Sequence, residues 1–158
     1  RCPRPSSACA MKMILYLDAS SLAKVYIDEA HSDDVQTWIT AAEAAATSRV
    51  TYPEIASALA RRRADGTLAT HDLRLLLDDL ERSWGDYLVV DLAERLAAEL
   101  AVRHALRGFD AVHLAAAITL RDAAGAGGLA FSSFDRRLVR AAVAEGLIVL
   151  EASGRREG

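Results

Sequence analysis

Met13-Ile14-Leu15-Tyr16-Leu17-Asp18-Ala19-Ser20-Ser21-Leu22-Ala23-Lys24 is the stretch whose reading decides the fold. An unbroken apolar run meets an aspartate, then two serines, then a helix-like pattern. A short continuous apolar run fits a strand buried on both faces, as in parallel sheets. Asp18 then stands at the carboxyl end of that strand, the edge where open α/β sheets bind their ligands. Asp18 is therefore the first candidate for a carboxylate cluster.

Outward from it, Ser20 or Ser21 is expected to cap a short helix through Ile27. Further helices are expected over 32–44, 51–65, 70–84, 93–104, 110–122 and 135–145. Short strands are expected over 46–50, 87–90, 129–132 and 147–150. Thr51-Tyr52-Pro53-Glu54 opens its helix with a cap, a proline in the first turn and a glutamate three residues after the cap. Gly66 stops that helix. The helix from Asp110 is apolar nearly all round (Ala111, Val112, Leu114, Ala115, Ile118, Leu120), which marks it as buried. Strands alternating with helices argue for an α/β domain, with a mainly parallel five-stranded sheet flanked by helices on both faces.

The bulk numbers agree with one domain. The chain has 158 residues, 52% hydrophobic and 26% charged. That apolar content excludes a disordered chain, and no run approaches the roughly 18 apolar residues of a membrane span. The net charge of -3 does not advertise a nucleic-acid partner. Residues 1–12 read as a leader or cloning remnant without fixed structure. They hold both cysteines, Cys2 and Cys9, and two of the three prolines. Residues 13–150 form the expected domain and 151–158 a polar tail. Without a cysteine the domain has no disulfide and no thiolate metal site, so a cytoplasmic location is the expectation.

Four acids stand at corresponding places. Asp18 ends the first strand, Glu54 lies in the first turn after the second, Asp110 opens the buried helix, and Asp135 follows the fourth strand. In a parallel sheet all strand-to-helix junctions share one edge, so the three acids at such junctions, with Asp110 opening a nearby helix, are expected to converge there. Each also has a plain local reading, as a helix cap or part of a capping box. Asp18 fits that reading least, because two serines already offer to cap. Two carboxylates about 4 Å apart repel by roughly 4 kcal/mol at an effective dielectric of 20. Either protons or a cation must offset this. An all-oxygen cluster suits Mg²⁺ or Mn²⁺, not Zn²⁺. Such ions activate water and steady the charge on a phosphodiester displaced in line.

Four segments carry a resemblance: Leu17-Asp18-Ala19-Ser20-Ser21-Leu22-Ala23-Lys24, Tyr52-Pro53-Glu54-Ile55-Ala56-Ser57-Ala58-Leu59, Phe109-Asp110-Ala111-Val112-His113-Leu114-Ala115-Ala116-Ala117 and Ser132-Ser133-Phe134-Asp135-Arg136-Arg137-Leu138. Together and in this order they resemble the signature segments of PIN-domain ribonucleases, above all VapC-type toxins of bacterial toxin–antitoxin pairs. The resemblance implies a PIN-like fold and a Mg²⁺-dependent endoribonuclease, with Mn²⁺ as a plausible substitute. It implies that Asp18 and Asp110 bind metal most directly. Glu54 and Asp135 complete the shell through water or position the nucleophile, and Ser20 and Ser132 support the site. It also implies a homodimer and a cognate antitoxin whose tail blocks the acidic pocket.

Phosphate contacts are expected from Arg61, on the face of Glu54, and from Arg136 beside Asp135, with Arg62, Arg63 and Arg137 in reserve. Solvated surface is the ordinary reading of all five. His113 is expected to be a core histidine or one that supports the site from behind, not a base. His31, His71 and His104 read as turn or surface positions, and Trp38 and Trp84 as packing. A dehalogenase-type phosphotransferase would want a second acid where Ser20 stands. A receiver domain would want an acidic pair at strand one and a lysine after the last strand. A catalytically silent PIN-like domain that binds a protein partner remains the alternative.

Overall fold

In the computed structural model, which describes residues 11–125 and 127–152, β1 (Met11–Leu17) is the central strand. It starts two residues earlier than expected. The expected leader through residue 10, with both cysteines, and residues 153–158 lie outside the described residues. The sheet order is β3 (Leu88–Val90), β2 (Ala42–Ser48), β1, β4 (Leu129–Ser132), β5 (Ile148–Val149), and every pairing is parallel.

β1 is apolar toward both faces because both are covered. Tyr16 packs with Phe131 and Leu129 in one core, while Leu15 and Leu17 pack with Ala130 in the other. This alternation is the two-residue period of a strand. The second core is filled from α1 (Ala19–Tyr26), α2 (Ser32–Ala41), α3 (Thr51–Ala64) and α4 (Thr70–Ser83), through Leu22, Val35, Ile55, Leu59 and Leu80. The first is filled from α5 (Glu94–His104), α6 (Gly108–Ala124) and α7 (Arg136–Ala144). The α6 helix is buried along Ala111 and from His113 to Ile118, as its composition required.

From β1 the chain steps one way to β2 and β3 and the other way to β4 and β5. The reversal leaves a crevice beyond the carboxyl ends of β1 and β4, where Leu17 faces Ser132 in register. Sheets of this kind bind ligands at that switch point.

Several boundaries differ from expectation, among them the following. Residues 42–44 belong to β2, not to the preceding helix. Their alanines favour helix locally, but pairing of Ala44, Ala45 and Ala46 with Ile14, Leu15 and Tyr16 prevails. β2 ends at Ser48, with Arg49 and Val50 in the turn. α6 starts at Gly108, two residues before Asp110. Gly66 closes α3 as expected, at φ +83°, a conformation that costs other residues more.

Candidate active site

Asp18 leaves β1 directly into the crevice and is 4% exposed. Its backbone N–H donates to the Ser132 carbonyl at 3.2 Å, which holds it against β4. Its Oδ1 accepts from Ser21 N–H and from the Ser20 hydroxyl, each at 2.8 Å. Its Oδ2 accepts from the Ser133 hydroxyl at 2.6 Å. A buried carboxylate requires such donors. Asp18 itself is the N-cap of α1, so the expectation that Ser20 or Ser21 caps it is corrected. The hydroxyls are committed elsewhere: Ser20 to Asp18 and Ser21 to Ser132, the latter at 2.8 Å.

The turn after β4 supplies the facing wall. Ser133 Oγ accepts from Asp135 N–H at 3.0 Å while donating to Asp18, so one hydroxyl bridges the two acidic positions. Ser20 Oγ accepts from Phe134 N–H at 2.9 Å and ties the same turn to α1. Asp135 caps α7, its Oδ1 accepting from Arg137 N–H at 2.8 Å and Leu138 N–H at 2.9 Å. The plain local reading therefore holds in part for Asp18 and Asp135.

It fails for Glu54. Thr51 turns inward to bond Thr47 at 2.7 Å, and α3 has no side-chain cap, so no capping box forms. The Glu54 carboxylate instead lies 2.8 Å from His113 Nε2, and His113 Nδ1 lies 3.0 Å from the Tyr16 phenol. Burial, then the charges of Asp18 and Glu54, push the Tyr16 phenol well above its ordinary value. His113 is buried, as expected, and sits behind Glu54.

Asp110 stands in the first turn of α6, three residues before His113. Its carboxyl is raised above the usual range by partial burial, then by the charge of Asp135; Arg107 pulls it back and Asp18 adds to the rise. Asp110, Asp135 and Asp18 thus share one electrostatic field, and Asp18 and Glu54 both act on Tyr16. The four acids are linked electrostatically, directly or through Tyr16. They do not close on a point: among the described residues no three His, Cys, Asp or Glu side chains are grouped tightly enough to hold a metal ion. The chemistry of the set nonetheless fits a hard divalent cation, since every donor is a carboxylate or hydroxyl oxygen and the mutual repulsion on Asp110 is what a cation offsets.

Of the supporting residues, Ser20 bonds the Asp18 carboxylate, whereas Ser132 meets Asp18 only through its backbone carbonyl and turns its hydroxyl to Ser21. Ser133, whose hydroxyl does reach the Asp18 carboxylate, was not singled out, although it stands beside Ser132 in the fourth quoted segment. Arg107, whose charge acts on Asp110, precedes the helix and matches no motif. Arg61 is exposed and donates to Ser57 at 2.7 Å. Arg136 is exposed and lines a cleft of about 660 Å³ with His31, Ser133, Phe134 and Arg140. His104 departs from the surface reading, lying 2.6 Å from Glu145 and largely covered. Trp38 and Trp84 pack against Phe134 and against Tyr52 and Tyr87. Among the described residues no helix is long and apolar enough to cross a membrane.

The family model described as PIN domain matches residues 15–144. The chain is 38% identical over 146 residues to Ribonuclease VapC45 and to Ribonuclease VapC49 of Mycobacterium tuberculosis, covering 88% of this chain and 96% of each relative. In fold it is similar to FitAcB from Neisseria gonorrhoeae, with TM-score 0.61, 20% identity and coverage of 88% of this chain and 97% of that one. It is also similar to PAE2754 from Pyrobaculum aerophilum, with TM-score 0.56, 22% identity and coverage of 87% and 90%. With the match extending over both walls of the crevice, the chain belongs to the PIN-domain family and is of the VapC ribonuclease type.

Proposed function

We propose that the chain is the toxin of a type II toxin–antitoxin pair, an endoribonuclease that hydrolyses RNA phosphodiester bonds at the acidic crevice. One observation carries this reading: near-full-length kinship with relatives named ribonucleases. Mg²⁺ is the proposed ion, with Mn²⁺ as substitute. Bound there, it supplies an activated water and offsets charge on the phosphodiester. Asp18 and Asp110 would hold it most directly, with Glu54 and Asp135 completing the shell or orienting the nucleophile. Ser20 keeps Asp18 aimed, and Ser133 takes the role first given to Ser132. Arg136 and Arg61 contact RNA phosphates. The proposed partners are a cognate antitoxin, whose tail covers the crevice, and a second copy of the chain in a cytoplasmic homodimer. The nuclease domain spans 13–150, with β1 reaching back to Met11.

The silent-domain alternative draws support from Asp18 and Asp135 serving as helix caps. Incubation of total RNA and Mn²⁺ with the wild type, Asp18→Asn and Asp110→Asn separates the two. Cleavage by the wild type alone is expected. Equal behaviour of all three, with no Mn²⁺-induced stabilisation of the wild type, would rule the nuclease out.

A further inference from the structure

We infer that His113 is a positioning residue that fixes the Glu54 carboxylate at the crevice, with Tyr16 setting its tautomer. The inference rests on the reading of Glu54 as a site acid. His113 is 2% exposed and bonds at both ring nitrogens. A neutral imidazole carries one hydrogen, so one nitrogen donates and the other accepts. A carboxylate can only accept, so Nε2 must carry the hydrogen toward Glu54. Nδ1 then accepts from the Tyr16 hydroxyl. The opposite tautomer would set a lone pair of Nε2 against a carboxylate oxygen 2.8 Å away.

The Tyr16 end is built to keep that direction. Its ring is wholly buried, stacked on Phe131 at 5.6 Å and edge-on to His113 at 6.1 Å. The chain of bonds joins β1, two residues before Asp18, to α6, three residues after Asp110, and then to α3. Three of the four acids are thereby tied to one buried strut. A histidine that merely satisfied the core would not need its outer nitrogen on a site carboxylate that is itself partly open to solvent.

The test measures Mn²⁺ affinity by calorimetry without RNA, and single-turnover cleavage, for the wild type, Glu54→Gln, His113→Leu, His113→Gln and the double variant Glu54→Gln/His113→Leu. His113→Leu should weaken Mn²⁺ binding about tenfold, the scale seen when partners behind metal ligands are removed. His113→Gln should restore most of it, because its amide N–H can serve Glu54. The double variant should be no worse than Glu54→Gln alone, since residues acting through one group are not additive. Wild-type affinity in His113→Leu, or losses that add in the double variant, would overturn the proposal while Glu54→Gln stays defective. Wild-type affinity and cleavage in Glu54→Gln would overturn the reading of Glu54 and this proposal with it. If His113→Leu does not fold, Tyr16→Phe decides: a smaller loss of Mn²⁺ affinity is expected, and no loss overturns the proposal.

Discussion

Ser133 donates its hydroxyl to Asp18 Oδ2 at 2.6 Å across 115 positions of sequence, and so pins the turn after β4 to the end of β1. The neighbouring Ser132 makes a bond of similar length, but to Ser21 and away from the acids. The two serines should therefore separate function from stability. Ser133→Ala should lower RNA cleavage by roughly 10–100-fold at fixed Mn²⁺, because Asp18 loses one of its holding groups. Ser132→Ala should leave cleavage near wild type and cost about 1 kcal/mol of stability by urea unfolding. The reverse ranking in cleavage would sink this assignment.

Asp110 should be a stability liability that pH can switch off. Its carboxyl is raised in the folded chain, by burial and then by Asp135. The folded protein therefore holds that proton more tightly than the unfolded one. The penalty is absent below the unfolded value, near about 3.9. It grows as pH rises and is complete above the folded value. In EDTA at pH 7, Asp110→Asn should melt higher than the wild type, by roughly 2–4 °C if the relief approaches about 1 kcal/mol. Partial exposure keeps the gain at the low end. The gain should vanish near pH 3.5. A variant no more stable than wild type at pH 7 would refute the repulsion.

These contacts also mark how far the sequence could be read. The apolar run 13–17, the alternation of elements and the all-apolar face of α6 were enough to specify the parallel sheet and its buried helix. Asp18, Glu54 and Asp135 stood out because each follows a strand at the edge the topology shares, and Asp110 because it opens an almost wholly apolar helix. What could not be read was side-chain commitment. Nothing local distinguishes Ser132 from Ser133; a register of Leu17 against Ser132 decides which one faces Asp18. Thr51-x-x-Glu54 looks like a capping box, yet both side chains leave it for partners brought by β2 and α6. The helix-to-strand change at Ala42 is likewise set by pairing with β1, which no window of alanines encodes.

Basic residues around the crevice should contribute unequally. Arg107 lies close enough to Asp110 to pull its carboxyl down, whereas Arg61 is exposed and bonded to Ser57 one turn back. Arg107→Ala should raise the KM for RNA and reduce the salt dependence of binding by about one phosphate contact. Arg61→Ala should do so less. Equal salt slopes for wild type and Arg107→Ala would remove Arg107 from the RNA path.

The helices that deliver Asp18's cap and Glu54 are joined by one carboxylate. Glu29 accepts from Lys24 of α1 at 2.7 Å and from Arg62 of α3 at 2.5 Å. The Lys24 side chain is only 9% exposed, and its ammonium also sits 4.5 Å from the centre of the Phe134 ring in the turn beside the site. Glu29→Gln would leave that covered ammonium without its countercharge, at a cost of about 1–3 kcal/mol. Burial pushes the Glu29 carboxyl up, but bonds from Lys24 and then Arg62 more than reverse this, so its folded value is depressed. Its contribution is therefore complete above the unfolded value, near about 4.3, and is lost as pH falls through the folded one. Urea midpoints of the wild type and Glu29→Gln should differ fully at pH 7 and converge once pH falls below the depressed folded value. A difference that persists unchanged into acid would mean that Glu29 acts through packing and not through its charge.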